Sequence, residues 1–159
     1  MPRTARAVSL VLPKDASRAR PQFDVVLVRH GPAEKRDPSR WPQDEERPLS
    51  KAGVRQTRKA ARGLARLLPS HGPIVTSPAV RALHTAKILR EALEFHPALQ
   101  IWPELAPGAS PENVLDKLAR HRFRQPPLLI GHEPALGRLI GSALAAESIS
   151  LIRLSRAGA

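Results

Sequence analysis

An open α/β fold, with helices on both faces of a mostly parallel sheet, is the architecture this sequence predicts, and three features predict it. Short aliphatic runs recur at Val25–Val28, Ile74–Thr76, Leu99–Trp102 and Leu128–Ile130. Segments with apolar residues at helical spacing separate them, and alternating strands and helices need crossover connections, which set neighbouring strands parallel. Two of the runs end abruptly on a histidine, in Arg29-His30-Gly31 and Gly131-His132. Open α/β sheets bind their ligands at such strand ends. The expected arrangement is a three-layer α/β/α sandwich.

A chain of 159 residues suits one domain with a single core, and a hydrophobic fraction of 42% with only 3% aromatic residues points to aliphatic packing. The absence of cysteine excludes disulfides and thiolate metal sites. A formal charge of +12 concentrates anions near the surface, so the partners to consider are phosphorylated molecules, then nucleic acid, beside a merely solvated basic face. No stretch approaches the roughly 20 apolar residues of a membrane span. Ala7–Leu12 is too short for the apolar part of a signal peptide, so a cytoplasmic protein without membrane partners is expected.

Residues 1–22 read as a basic N-terminal extension. Arg3, Arg6, Lys14, Arg18 and Arg20 face a single Asp15, three prolines break any periodicity, and Val8–Leu12 could add an edge strand. The domain proper is expected over 23–159. Its first strand runs from Phe23 to Arg29, and the proline- and charge-rich segment Pro32–Pro48 reads as a loop rimming a site.

Ser50 is a candidate N-cap for a helix whose inward face carries Gly53, Thr57, Ala60, Ala61, Leu64, Leu67 and Leu68. Its other face carries Arg55, Arg58, Lys59, Arg62 and Arg66. With no aromatic residues interleaved, that stripe suits a solvated face better than a nucleic-acid footprint. Ser77-Pro78 predicts a cap followed by a first-turn proline for a helix from about Ala79 to Leu93, with Val80, Leu83, Ala86 and either Leu89 or Ile88 inward. Arg81 then falls in the first turn, where backbone amides and the helix dipole attract anions. Ser110-Pro111 repeats the signature before Val114, Leu115 and Leu118. A helix over Ala135–Leu144 and a last strand over Ile149–Leu154 complete the expected order.

Arg29, His30, Arg81 and His132 thus all sit where strands end or helices begin, on one edge of one sheet. At this point the residues resemble the histidine phosphatase superfamily, whose signature is a strand-terminal R-H-G. The similarity is to its small branch, the SixA-type phosphohistidine phosphatases. It runs through Val25–Ala33, Arg47-Pro48-Leu49-Ser50-Lys51-Ala52-Gly53, Thr76–Ala86, Pro103-Glu104-Leu105 and Leu129–Pro134.

The resemblance implies a phosphoglycerate mutase-like fold and a phosphatase that needs no metal or other cofactor. His30 would attack phosphorus through one ring nitrogen, and the other nitrogen would donate a hydrogen bond to a backbone carbonyl. Arg29 and Arg81 would clamp the equatorial oxygens, and His132 would add a donor. Larger members carry an acid in a Leu-x-Glu pattern where this chain reads Leu105-Ala106-Pro107, which leaves Glu104, Glu34 and Glu133 as paper candidates. A phosphohistidine leaving group needs no such acid, so the expected substrate is a phosphorylated protein of the histidine phosphotransfer domain type. A small phosphoester is the alternative, and a basic nucleic-acid-binding module is less favoured. The chain stops at Ser155–Ala159, about where relatives run into closing strands, which reads as a truncated or abbreviated C-terminus.

Overall fold

The computed structural model describes residues 25–68, 70–93 and 97–145. The basic arm over 1–22, the closing strand over Ile149–Leu154 and the reading of the C-terminus lie outside the described residues. The elements follow in the order β1 (Val26–Arg29), α1 (Lys51–Leu67), β2 (Ile74–Thr76), α2 (Val80–Ala92), β3 (Leu99–Ile101), α3 (Pro111–Arg120), β4 (Leu128–Gly131) and α4 (Ala135–Ala145). Two 3₁₀ turns, Asp44–Glu46 and Pro103–Leu105, interrupt the longer connections.

The four strands form one parallel sheet in the order β1-β4-β2-β3. Because side chains alternate across a strand, each aliphatic run feeds two cores. Val26, Ile74, Leu128 and Ile130 pack on one face with Ala61 and Leu64 of α1 and Ala82, Ala86 and Leu89 of α2. Leu27, Val75 and Leu129 pack on the other with Val114 and Leu118 of α3 and Leu136, Leu139 and Ile140 of α4. The three-layer α/β/α arrangement with an all-parallel sheet is therefore present, and continuous apolar runs in β2 and β4 reflect burial on both faces.

Connectivity sets where a site can form. The β1–α1–β2 crossover passes β4 on one face, and the chain returns from β3 through α3 to enter β4 from the other face. The carboxyl ends of β1 and β4 therefore open side by side, with Arg29 paired to Gly131.

Three local expectations change. Helix α2 starts at Val80 with Ala79 as its N-cap, and no side chain caps it there. The Ser77 hydroxyl instead accepts the Ala79 amide at 3.2 Å while turned toward the site. The inward face of α2 is Ala82, Thr85, Ala86, Ile88 and Leu89, whereas Val80 and Leu83 are only half-buried. Ala86, Ile88 and Leu89 are inward as expected, and the small Ala82 and Thr85 replace Val80 and Leu83 because they let α2 approach both α1 and the sheet. In α1, Leu67 is exposed rather than inward, since it lies in the last turn beyond the reach of the sheet.

Candidate active site

Parallel pairing of β1 with β4 brings the two histidines together. The His30 amide donates to the Gly131 carbonyl at 3.1 Å, and His132 follows one residue later. Their rings lie 4.9 Å apart at a tilt of 56°. Gly31 is required by space, because a Cβ there would sit 2.0 Å from the Thr57 hydroxyl of α1. The Gly31 amide donates to Thr85 Oγ1 at 3.1 Å, and Thr85 donates to the Arg81 carbonyl at 2.8 Å. The turn carrying His30 is thus tied to the helix carrying Arg81.

The hydrogen bond to Gly31 assigns the proton of His30, and the contact with Ser77 fits a His132 whose Nε2 accepts. His30 Nδ1 lies 2.7 Å from the Gly31 carbonyl, which can only accept, so a neutral His30 carries its proton on Nδ1 and a lone pair on Nε2. His132 Nε2 lies 2.8 Å from Ser77 Oγ, which already accepts the Ala79 amide. With Ser77 donating to Nε2, His132 carries its own proton on Nδ1, and that proton is left for a ligand. That Nδ1 is buried and has no hydrogen-bond partner among the described residues, and the same holds for Arg81 Nε. An unpaired buried donor costs about 1–3 kcal/mol, so an anion accepting from both would be strongly favoured.

Electrostatics keep both rings neutral. Burial lowers the His30 pKa from 6.5 to about 4, with the charges of Arg81, Arg29 and Arg47 adding to the effect against the hydrogen bond to Gly31. Burial likewise lowers His132 to about 3, helped by His30, Arg81 and Arg29 and opposed by Asp44. A nucleophilic His30 therefore predicts that kcat/KM stays flat from neutral pH down to about 5 and falls only as pH approaches 4. An acid limb centred near 6.5 would contradict a buried neutral imidazole. Stability follows the same protons: the unfolded histidines titrate near 6.5, so the folded state loses stability as pH falls from there toward 4.

All four residues expected at the site are at this edge. Arg29 ends β1, His30 follows it, His132 follows β4, and Arg81 sits in the first turn of α2 with 4% of its surface exposed. Arg81 does not stand alone. Its Nη1 donates to the Asp44 carbonyl at 2.6 Å, and its Nη2 pairs with Asp44 Oδ2 at 3.0 Å. Asp44 also pairs with Arg47 Nε at 3.0 Å, and Arg47 Nη1 donates to the Glu34 carbonyl at 2.7 Å. The hydrogen bond from Arg47 holds the Asp44 carboxyl below its usual value, with Arg81 contributing. The rim loop thus supplies a third cation near His30 and one carboxylate shared by two guanidinium groups.

Asp44, Arg47 and Ser77 also contact the site residues, and the sequence did not mark them for that place. Arg47 and Ser77 lay inside motif blocks and could have been found there. Asp44 carried no local signal beyond standing three residues before Arg47, and only folding of the rim loop brings it to Arg81. Of the three carboxylates considered as acids, Glu104 is held by Lys117 at 2.8 Å, and that hydrogen bond pulls its pKa down, which opposes proton donation. Glu34 contributes backbone groups, its amide donating to the Pro48 carbonyl and its own carbonyl accepting from Arg47. Glu133 directly follows His132 and is half-buried.

A parallel α/β sheet carrying two paired histidines, the buried Arg81 and the half-buried Arg29 at its carboxyl edge is an arrangement suited to an oxyanion. The model of the histidine phosphatase superfamily (branch 1) matches residues 25–107, just over half of the chain, and the chain belongs to that superfamily. His132 lies beyond the matched stretch, and β-sheet pairing is what places it against His30. The chain is 32% identical over 138 residues to an uncharacterized protein of Picosynechococcus, covering 86% of this chain and 82% of that one. Its fold is similar to that of the protein histidine phosphatase SixA complexed with tungstate, with a TM-score of 0.68, 23% identity and coverage of 82% and 81% of the two chains. A mycobacterial glucosyl-3-phosphoglycerate phosphatase shares the fold at a TM-score of 0.59 and 20% identity, covering 76% of this chain and 79% of that one. Superfamily membership supports phosphatase activity. Among the described residues no helix is long and apolar enough to cross a membrane, and no group of three or more His, Cys, Asp or Glu could hold a metal ion.

Proposed function

We propose that this chain is a cytoplasmic phosphohistidine phosphatase acting on a phosphorylated signalling or phosphotransfer protein through a covalent intermediate on His30. The observation that carries the reading is the pairing of a bare, neutral His30 Nε2 with donors on Arg81 and His132, while Glu104 is committed to Lys117 as a carboxylate.

In the first step the Nε2 lone pair of His30 forms a bond to phosphorus as the bond to the substrate nitrogen breaks. The substrate imidazole, protonated on its other nitrogen beforehand, departs neutral and takes no proton from the protein. Arg29, Arg81 and His132 Nδ1 stabilise charge on the equatorial oxygens throughout, where fixed donors in a buried site act most strongly. Water then attacks phosphorus, phosphate leaves, and His30 regains its lone pair. Splitting the displacement in two is the usual gain from a nucleophilic side chain.

The fold shared with glucosyl-3-phosphoglycerate phosphatase makes small phosphoesters the competing substrate class. An alkoxide leaving group needs a proton at the moment of departure, and Glu104 is poorly placed to give it. Turnover of a phosphohistidine peptide, a phosphorylated histidine phosphotransfer domain and sugar phosphates at equal enzyme concentration tests the assignment. The phosphohistidine substrates should be hydrolysed faster by at least about tenfold, and faster sugar phosphate turnover would overturn it.

A further inference from the structure

The exposed face of α1 carries Lys51, Arg55, Arg58, Lys59, Arg62 and Arg66, and all six are exposed. At about 100° per residue they fall within an arc of about 100°, and at 1.5 Å per residue they extend over about 22 Å. The helix contains no aspartate or glutamate, and none of the six forms an ion pair among the described residues. Four of their spacings, 51–55, 55–59, 58–62 and 62–66, are like-charge i,i+4 pairs that destabilise a helix by about 0.2–0.5 kcal/mol each. Lys51 adds a cation at the helix N-terminus, where the dipole favours the opposite sign. The helix is therefore charged against its own stability.

The stripe is anchored at the site. Helix α1 is the crossover between parallel strands, so its N-terminus lies at the carboxyl edge of the sheet. The Ser50 amide donates to the Pro32 carbonyl at 3.1 Å, two residues from His30, and a Cβ on Gly53 would meet that same carbonyl at 1.9 Å. From this rim the stripe runs away along the outside of the α1–α2 layer.

From this geometry we infer that α1 is a docking surface for an acidic face of the phosphoprotein substrate. The inference rests on the phosphoprotein reading above and says where that protein lies: its phosphoryl group enters at His30 while carboxylates about 20 Å in extent align along α1. Charge complementarity argues for it, since six cations of one sign attract an anionic surface before contact and raise the association rate. Single-stranded nucleic acid suits the face less well, because no aromatic side chain stands on it to stack a base.

The test is the triple variant Arg55→Glu, Arg58→Glu, Arg62→Glu, assayed on the phosphorylated phosphotransfer domain and on an aryl phosphate at several salt concentrations. For the protein substrate kcat/KM should fall about 10- to 100-fold at low salt, mainly through KM, and the wild type should lose most of that advantage as salt rises. Aryl phosphate turnover should stay close to wild type and the melting temperature should hold or rise, since three of the four like-charge pairs become opposite-charge pairs, which shows that fold and site are intact. Equal loss on both substrates, or no loss on the protein, would overturn the docking surface. Wild-type activity on aryl phosphate with none on the phosphorylated domain would remove the phosphoprotein reading itself, and the docking proposal with it. Tight binding of a single-stranded oligonucleotide at physiological salt, abolished in the variant while phosphoprotein turnover persists, would reassign the stripe to nucleic acid.

Discussion

His30→Ala is expected to reduce turnover of every phosphorylated substrate by roughly four to six orders of magnitude, the range seen when a covalent nucleophile is removed. Nothing else in the site duplicates the geometry of His30. The Nδ1 proton is given to the Gly31 carbonyl, so Nε2 is the lone pair facing the other site groups, and burial keeps it neutral down to about pH 4. His132 does not substitute for it, because its Nε2 is taken by Ser77. Rapid quench of the wild type should also trap an acid-labile, alkali-stable phosphate on His30 that the variant lacks. Residual activity within tenfold of wild type would remove His30 from the role of nucleophile. The same substitution should flatten the loss of stability between pH 6.5 and 4, since it deletes one of the two buried histidines that must stay neutral in the folded state.

The second large effect concerns Arg81 and its carboxylate. Arg81→Ala should lower kcat/KM about 10²- to 10³-fold by removing a buried donor from the developing charge. Asp44→Asn should act in the opposite sense on anion affinity. Asp44 neutralises part of Arg81 and Arg47, so its loss leaves a buried guanidinium with less counter-charge and a stronger field for phosphate. Without ligand the Asp44→Asn protein should be about 1–3 kcal/mol less stable, and inorganic phosphate should raise its melting temperature more than that of the wild type. Phosphate-dependent melting curves of the two proteins decide the matter. A smaller phosphate-induced shift in the variant would mean that Asp44 orients Arg81 for the anion and does not compete with it.

Asp44 also shows why local reading stops short. It sits in a loop rich in prolines and charges, where many side chains are simply solvated, and nothing in its neighbours marks it. What gives it a role is the 3₁₀ turn at Asp44–Glu46, which sets both its carbonyl and its carboxylate against Arg81, a residue 37 positions away. Ser77 illustrates a different failure. Serine before proline is a common helix start, and the expected cap follows from that preference. The hydroxyl accepts the Ala79 amide and also contacts His132 Nε2, while the helix begins at Val80 with Ala79 as its N-cap.

By itself the sequence determined the layer architecture, because aliphatic runs of strand length separated by helical periodicity leave few ways to bury both faces of a sheet. It also determined the four residues at the site edge, since each lies at a strand terminus or in a first helical turn, positions that chain-local chemistry marks. The tertiary structure alone decided the strand order β1-β4-β2-β3, which sets His30 beside His132 although they lie 102 positions apart along the chain. It alone decided the ionisation of both rings and the partner of Arg81. Burial and through-space charge have no signature in neighbouring residues, and they exist only once the sheet has closed around the pair.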